Sequence, residues 1–181
     1  LKLNHFQIHL TDDPGNRFES LKYPGFQTIG SIRKSSPKPW AASQSDGKQY
    51  GPFYYTQDQL REIVKYGSTL GITIVPEFEF PGHALGALAP YYKYSCLQKP
   101  LEVSCFWGGS IDVYCPGNDE TITFLEDVLD EIIDIFPSKY IHIGGDEVKK
   151  TRWSSCPKCQ ARMKKEGLSN VNELQGWMVS H

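Results

Sequence analysis

The chain has 181 residues, of which 39% are hydrophobic and 22% are charged, and its net charge is −2. This composition is ordinary for a globular protein with one sizeable core, and the charge balance argues against nucleic acid or an anionic membrane as a partner. No apolar run approaches the roughly 20 residues of a membrane span. The chain opens as Leu1-Lys2-Leu3-Asn4, close to strand-like sequence, so we interpret it as part of a longer polypeptide whose missing leader says nothing about export.

The first half is predicted to contain a strand, a long loop and a helix. Residues 4–10 alternate apolar and polar side chains, which is typical of a strand, and a turn cluster follows them. Residues 17–55 are rich in Pro, Gly and Ser and show no period, which indicates a long excursion. Thr56 is predicted to cap a helix with Gln59 in capping-box position, and Gly71 is predicted to end that helix.

The second half continues the alternation. Residues 72–75 form a β-branched run that predicts a buried strand, and residues 90–118 form a second long loop. A helix is predicted to begin from a cap at Asn118 or Asp119 and to stop before Pro137. Its predicted apolar stripe consists of Ile122, Leu125, Val128, Leu129, Ile132, Ile133 and Phe136.

A third strand is predicted over residues 140–143, followed by helices over residues 160–166 and 170–181. Strands that alternate with helices in this way form parallel sheets with right-handed connections. The sequence therefore predicts an α/β fold.

Acids or a histidine follow the end of every predicted strand: Asp12 and Asp13, then Glu77, Glu79 and His83, then Asp146 and Glu147. The carboxyl ends of parallel strands lie on one side of the sheet, so we expect these groups to share one site. The last pair stands on Gly144-Gly145, where the absence of a Cβ lets backbone and ligand approach closely.

These motifs resemble those of glycoside hydrolase family 20, the β-N-acetylhexosaminidases. The matching segments are His9-Leu10-Thr11-Asp12-Asp13, the PEFEFPGH run at residues 76–83, CPGNDET at 115–121, HIGGDE at 142–147, and TRW at 151–153 with CPKCQ at 156–160. Gly-Gly-Asp-Glu also occurs on a hairpin in diguanylate cyclases, but residues 148–152 are too polar for a buried return strand. The resemblance covers residues 1–181 and implies part of a (β/α)8 TIM barrel, roughly strands two to four with their helices.

The resemblance also implies roles for individual residues. Glu147 is expected to be the general acid and then the base, and Asp146 is expected to hold the 2-acetamido group whose oxygen attacks the anomeric carbon. His83 and Asp12 are expected to form a relay to Glu147.

Three further residues are candidate substrate contacts. Glu79 stands where the family has Asp. His142 either lines the floor of the site or fills a polar core layer. Trp107 either stacks on a sugar or packs within its loop.

The implied activity is removal of terminal β-linked N-acetylglucosamine or N-acetylgalactosamine from glycans or chitooligosaccharides. By the same resemblance the reaction is retaining and substrate-assisted, no cofactor is needed, and the protein is exported to the periplasm or beyond. These 181 residues alone are expected to be inactive, and no oligomeric state is predicted. Two alternatives stay open: a catalytically silent sugar-binding relative, and a metal-dependent hydrolase that uses His9, Asp12, His83, His142 and Asp146.

The cysteines are Cys96, Cys105, Cys115, Cys156 and Cys159, and an odd number cannot all pair within the chain. The CxxC pair at residues 156 and 159 has zinc-like spacing, but no second CxxC or pair of histidines completes four ligands, so no metal is predicted. One pair among the three loop cysteines could instead be bridged in an exported protein.

Overall fold

The structure, a computed structural model, describes residues 2–38 and 44–181. Its strands are β1 (His5–His9), β2 (Thr11–Asp12), β3 (Gly15–Asn16) and β4 (Thr73–Glu77). Its α-helices are α1 (Gln57–Thr69), α2 (Leu85–Leu88), α3 (Asp119–Ile135), α4 (Thr151–Ser155), α5 (Pro157–Glu166) and α6 (Val171–Ser180). A π-helical turn covers Phe26–Gly30 and a 3-10 turn covers Tyr92–Tyr94.

The three predicted strands run parallel and in chain order. β1 pairs with β4, with His5 opposite Thr73 and His9 opposite Glu77. On the other side of β4, the His142 N–H donates to the carbonyl of Pro76 and the Phe78 N–H donates to the carbonyl of His142, both at 2.9 Å. Residues 140–143 therefore lie beside β4 as predicted, although the pairing is reduced to one bridge between Glu77 and His142.

The third segment ends early because of the glycines that follow it. Gly144 and Gly145 have φ of 64° and 89°, outside the β region. The chain turns there instead of extending the ladder, and it delivers the next two residues to the carboxyl edge of the sheet.

Helix α1 confirms the predicted capping box: the Gln59 N–H donates to the Thr56 hydroxyl at 3.2 Å and the Thr56 N–H donates to the Gln59 side chain at 2.9 Å. The helix ends at Thr69, and Gly71 follows with φ of 68°. Such a left-handed residue after a helix is the usual role of glycine.

Helix α3 confirms the predicted bounds but corrects the predicted stripe. Ile133 is 57% exposed, whereas Phe124 and Ile135 are buried. The buried residues of the helix are Thr121, Phe124, Leu125, Val128, Ile132 and Ile135. Ile133 follows Ile132 by one residue, about 100° around the helix, so it faces away from the core.

Two hydrophobic clusters form the interior. The larger lies against the sheet and is rich in aromatic rings, such as Phe18, Phe26, Phe78 and Phe124. The smaller consists of Val113, Cys115, Trp153, Cys156, Cys159 and Leu174. The indole N–H of Trp153 donates to the carbonyl of Tyr114 at 2.8 Å, so the smaller cluster anchors the second long loop.

The first long loop is ordered by Arg17, whose guanidinium donates to the carbonyls of Pro14, Asn16, Ser31 and Phe53 at 3.1–3.3 Å. Residues 39–43 of the predicted excursion lie outside the described residues. Among the residues the structure describes, no helix has the length and apolarity needed to cross a bilayer.

Candidate active site

The candidate site begins at a short hairpin. Thr11 pairs with Asn16 and Asp12 pairs with Gly15, so the turn between β2 and β3 presents Asp12 and Asp13. Helix α2 lies directly against this hairpin because Gly86 has no side chain: a Cβ there would overlap the main chain of Gly15. That close approach brings His83, which precedes α2, beside the two acids.

His83 is the centre of the site. Its Nδ1 lies 3.1 Å from Asp12 Oδ1, and its Nε2 lies 3.7 Å from Glu147 Oε2. The first distance is a hydrogen bond; the second is an ion-pair distance. Burial lowers the pKa of His83, but the negative charges of Asp12, Asp13 and further acids outweigh burial and raise the pKa overall. The ring therefore lies between acids that follow two different strands.

Asp13 was expected to share the site with Asp12, but the sequence predicted no role for it. It is buried, and its carboxylate accepts from the N–H of Leu85 at 3.1 Å and from the N–H of Ser110 at 2.9 Å. Burial raises its pKa, against the lowering effect of these hydrogen bonds and of His83. Asp13 thus joins the start of α2 to the second long loop.

The turn after the third segment carries Asp146 and Glu147. The Gln175 side chain of α6 donates to the carbonyl of Gly145 at 2.7 Å, which holds the turn from behind. Glu147 has φ of 50°, an uncommon conformation for a residue with a Cβ, and its side chain is 70% exposed. Polar atoms of His83, Asp146 and Glu147 all lie within 4.8 Å of one another.

A cavity of about 210 Å³ opens over these residues. It is lined by Asp12, Asp13, Pro14, His83, Phe106, Trp107, Gly108, Gly109 and Glu147. Of the predicted site residues, the structure therefore brings Asp12, His83, Glu147 and Trp107 to one cavity, with Asp146 beside it. Trp107, on the wall of this cavity, is 65% exposed.

Glu79 and His142, both predicted substrate contacts, are absent from this cavity lining, and the His142 side chain is 48% exposed. Glu79 is 3% exposed, and a Cβ on Gly144 would overlap its carboxylate. His142 Nδ1 lies 2.9 Å from Glu77 Oε1. Burial, the hydrogen bond with Glu77 and the charge of Asp146 raise the pKa of Glu79 to about 8. Contact of Glu79 and His142 with the substrate stays a prediction.

Three sets of these side chains have donor atoms close enough together for a cation: His9 with Glu77 and Glu79, Asp12 and Asp13 with His83, and His83 with Asp146 and Glu147. The five ligands of the metal-hydrolase alternative are divided among these sets, and His142 is in none of them. The described residues therefore do not assemble that five-ligand centre.

The prediction of no metal rested on the lack of a second CxxC or pair of histidines, but two single cysteines lie beside the CxxC pair. Cys96 and Cys115 of the second long loop lie beside Cys156 and Cys159, with all four sulfur atoms within 4.8 Å of one another. Cys105 is outside this group, and its sulfur faces the carbonyl of Val103. Sequence spacing did not reveal the set because its members come from three separate segments.

Comparison with known proteins gives the family. The glycosyl hydrolase family 20 catalytic domain matches residues 1–181. A beta-hexosaminidase of Porphyromonas gingivalis is 44% identical over 178 residues, which are 98% of this chain and 22% of that protein.

Solved structures agree. The beta-N-acetylhexosaminidase from Bacteroides fragilis NCTC 9343 is 37% identical with a TM-score of 0.79, over 97% of this chain and 32% of that one. An exo beta-N-acetylglucosaminidase from Vibrio harveyi, solved in complex with N-acetylglucosamine, is 33% identical with a TM-score of 0.77, over 97% of this chain and 27% of that one. The chain thus spans about a third or less of each of these proteins, and it belongs to glycosyl hydrolase family 20, within the catalytic domain.

Proposed function

We propose that this chain carries the catalytic acids of a β-N-acetylhexosaminidase that removes terminal β-linked N-acetylglucosamine or N-acetylgalactosamine. The substrates would be N-acetylhexosamine-terminated glycans or chitooligosaccharides. The three parallel segments would be roughly strands two to four of an eight-stranded barrel, which is the strand-end arrangement on which barrel enzymes build their sites.

The observation that carries the proposal is the placement of Asp146 and Glu147 on one turn beside His83. Most glycosidases place two carboxylates on opposite sides of the scissile bond, and family 20 enzymes are exceptions that use the substrate's own acetamido group. Two adjacent acids on one turn suit the exception, since one can protonate the leaving oxygen while the other orients the acetamido group.

Glu147 is the proposed general acid and then general base. In the first step its proton passes to the glycosidic oxygen as the bond to the anomeric carbon breaks, and in the second it takes a proton from water. Asp12 and His83 would adjust the charge around Glu147, because the His83 ring reaches both acids. They are positioning residues for that proton.

Asp146 is the proposed partner of the 2-acetamido N–H. Its negative charge would orient the acetamido oxygen toward the anomeric carbon and stabilise the positive oxazolinium that forms. Glu79 lies nearby: burial, the hydrogen bond with Glu77 and the charge of Asp146 together raise its pKa to about 8. Trp107, on the cavity wall, is the proposed stacking surface for the sugar on the leaving side.

The test is the substitution Asp146→Asn in the full-length protein, with Asp130→Asn on the exposed face of α3 as control. The wild type should cleave aryl N-acetyl-β-glucosaminides and leave the matching 2-hydroxyl glucosides intact. Asp146→Asn should lower turnover by roughly two or more powers of ten, the scale for losing one preorganised electrostatic group, and Asp130→Asn should leave it unchanged.

Two results would contradict the proposal. A sugar trapped covalently on a carboxylate of the protein would show a protein nucleophile. Sugar binding without turnover by the wild type would identify a catalytically silent relative.

A further inference from the structure

Four cysteines outside the catalytic acids form a compact cluster. The Sγ atoms of Cys96 and Cys159 are 3.6 Å apart, those of Cys115 and Cys159 are 3.6 Å apart, and those of Cys115 and Cys156 are 3.8 Å apart. Cys159 is therefore equally distant from two different cysteines, and Cys115 is almost so. This pattern does not divide the four sulfurs into two pairs.

The separations fit a shared central ion. Zinc holds thiolates at about 2.3 Å in a tetrahedron, which places neighbouring sulfurs about 3.8 Å apart. A disulfide would instead bring two sulfurs to about 2.05 Å and leave the other pair independent. The three measured separations lie within 0.2 Å of the tetrahedral edge.

The backbone around the cluster is suited to negative sulfur atoms. Cys156 is the N-cap of α5 and Cys159 lies in its first turn, where unpaired N–H groups and the helix dipole favour anions. The N–H of Gly117 faces the Cys115 sulfur. Gly117 also permits the contact between the two segments, because a Cβ there would overlap the main chain of Lys158 and Cys159.

Three of the four sulfur ligands are buried, and Cys96 is partly buried against them. Cys115 and Cys159 are fully buried and Cys156 is nearly so, against Val113, Trp153 and Leu174. A closed set of four ligands in an apolar environment, with no position left open for water, is typical of structural zinc. It is unlike a catalytic centre, which keeps one coordination position free.

We propose that Cys96, Cys115, Cys156 and Cys159 bind one zinc ion as a structural site. Four thiols release their protons to solvent as the ion binds, and no sulfur changes its oxidation state. The site joins the second long loop to helix α5.

The proposed zinc site lies at both ends of the segment that forms one wall of the candidate active-site cavity. Residues 96–115 include Trp107 and Ser110, the first on the cavity wall and the second bonded to Asp13. The zinc ion would hold both ends of this segment against α4 and α5, which follow directly after Glu147. It would thereby fix the cavity wall relative to the acids.

The primary experiment is elemental analysis of the purified protein together with its intact mass without reduction. We expect about one zinc per chain and four thiols that react only after chelation and unfolding. Cys156→Ser should lose most of the zinc. Cys105→Ser is the matched control, because its sulfur lies outside the cluster, and it should retain the full zinc content.

Cobalt keeps the test decisive if Cys156→Ser fails to fold. Wild-type protein stripped of metal and loaded with Co²⁺ should develop the sulfur-to-cobalt charge-transfer band and the intense visible bands of a tetrahedral thiolate site. Zinc should displace those bands, and removal of zinc by a chelator should lower the melting temperature. A metal-free wild type whose four cysteines form two disulfides, or a cobalt spectrum without thiolate bands, would overturn the proposal.

Discussion

Glu147 combines an exposed carboxylate with a strained main chain, which is common where a residue is held for function rather than for stability. Among the described residues, the only basic side chain within 4 Å of the Glu147 carboxylate is His83, whose Nε2 lies 3.7 Å from Glu147 Oε2. His83 is therefore the basic side chain that is placed to contact Glu147. This arrangement gives a first prediction for proton transfer.

Glu147→Gln keeps the shape of the side chain but removes its proton exchange. In the full-length protein, turnover of substrates with poor leaving groups should fall by about 10²–10⁴-fold, the usual contribution of general acid–base catalysis. Activated aryl glycosides need less protonation, so their first step should fall much less. Steady-state rates on a series of leaving groups measure the difference, and an equal loss across the series would argue against the role.

Glu79 gives a prediction about pH. Its pKa in the folded protein is about 8, above the ordinary value of 4.5, chiefly because of burial. Between about pH 4.5 and pH 8, Glu79 therefore keeps its proton in the folded state but has released it in the unfolded state. The stabilisation is complete below about pH 4.5 and declines as pH rises toward about 8.

Glu79→Gln mimics the protonated form and should remove this part of the pH dependence. From pH 5 to pH 8, we expect the melting temperature of wild type to fall by several degrees more than that of the variant. A loss of roughly 1 kcal/mol in the free energy of unfolding corresponds to a shift of a few degrees. Glu126→Gln, on the exposed side of α3, is the control and should follow wild type. Parallel curves for wild type and Glu79→Gln would show that Glu79 is already ionised at neutral pH.

At the scale of elements, two glycines of the chain lie in opposite environments. Gly117 lies where a Cβ would overlap the main chain at the start of α5, and Gly176 lies within α6 with nothing inside 4 Å of a Cβ. Gly117→Ala should destabilise the protein by about 1–3 kcal/mol or more, since the two segments must separate. Gly176→Ala should stabilise it by about 0.5–1 kcal/mol through helix propensity alone. Denaturant midpoints of the two variants measure the contrast, and a Gly117→Ala midpoint at or above wild type would disprove the close packing.

The elements differ in how far local sequence specifies them. The capping box at Thr56 and Gln59 needs only four consecutive residues, so sequence predicts it directly. The parallel direction of the strands follows from their alternation with helices. It depends on how successive elements are connected along the chain and not on contacts between distant residues. Such features could be predicted because their causes lie within the element or between neighbours in the chain.

The contacts that sequence missed join distant segments. The sulfur cluster combines residues 96 and 115 with 156 and 159, and neither of the first two has a ligand-like neighbour in sequence. Asp13 was expected in the site, but sequence did not predict that α2 and the second long loop would both donate N–H groups to it. Sequence also did not predict that the Glu79 side chain would be buried against Gly144, where the absence of a Cβ leaves room for it.

At the scale of the whole chain, one edge of the sheet has no partner strand within residues 2–38 and 44–181. Among the described residues β1 pairs with one strand only, β4, so its other edge presents free main-chain groups. Phe6 on this strand is 54% exposed and Leu3 before it is 72% exposed. An exposed edge with apolar side chains is a template for pairing with another chain, and natural proteins commonly protect such edges with charges.

The 181-residue chain by itself should therefore self-associate as its concentration rises. Phe6→Lys places a charge on the open strand and should weaken that association by about tenfold or more, because edge lysines oppose strand pairing. Tyr66→Lys is the control, since Tyr66 is 68% exposed on α1, away from the sheet edge, and should associate like wild type. Light scattering with size-exclusion chromatography over a dilution series gives the three association constants. A wild type that stays monomeric at every concentration would mean that the edge of β1 is protected in solution, and equal weakening by both lysines would point to net charge rather than to the edge.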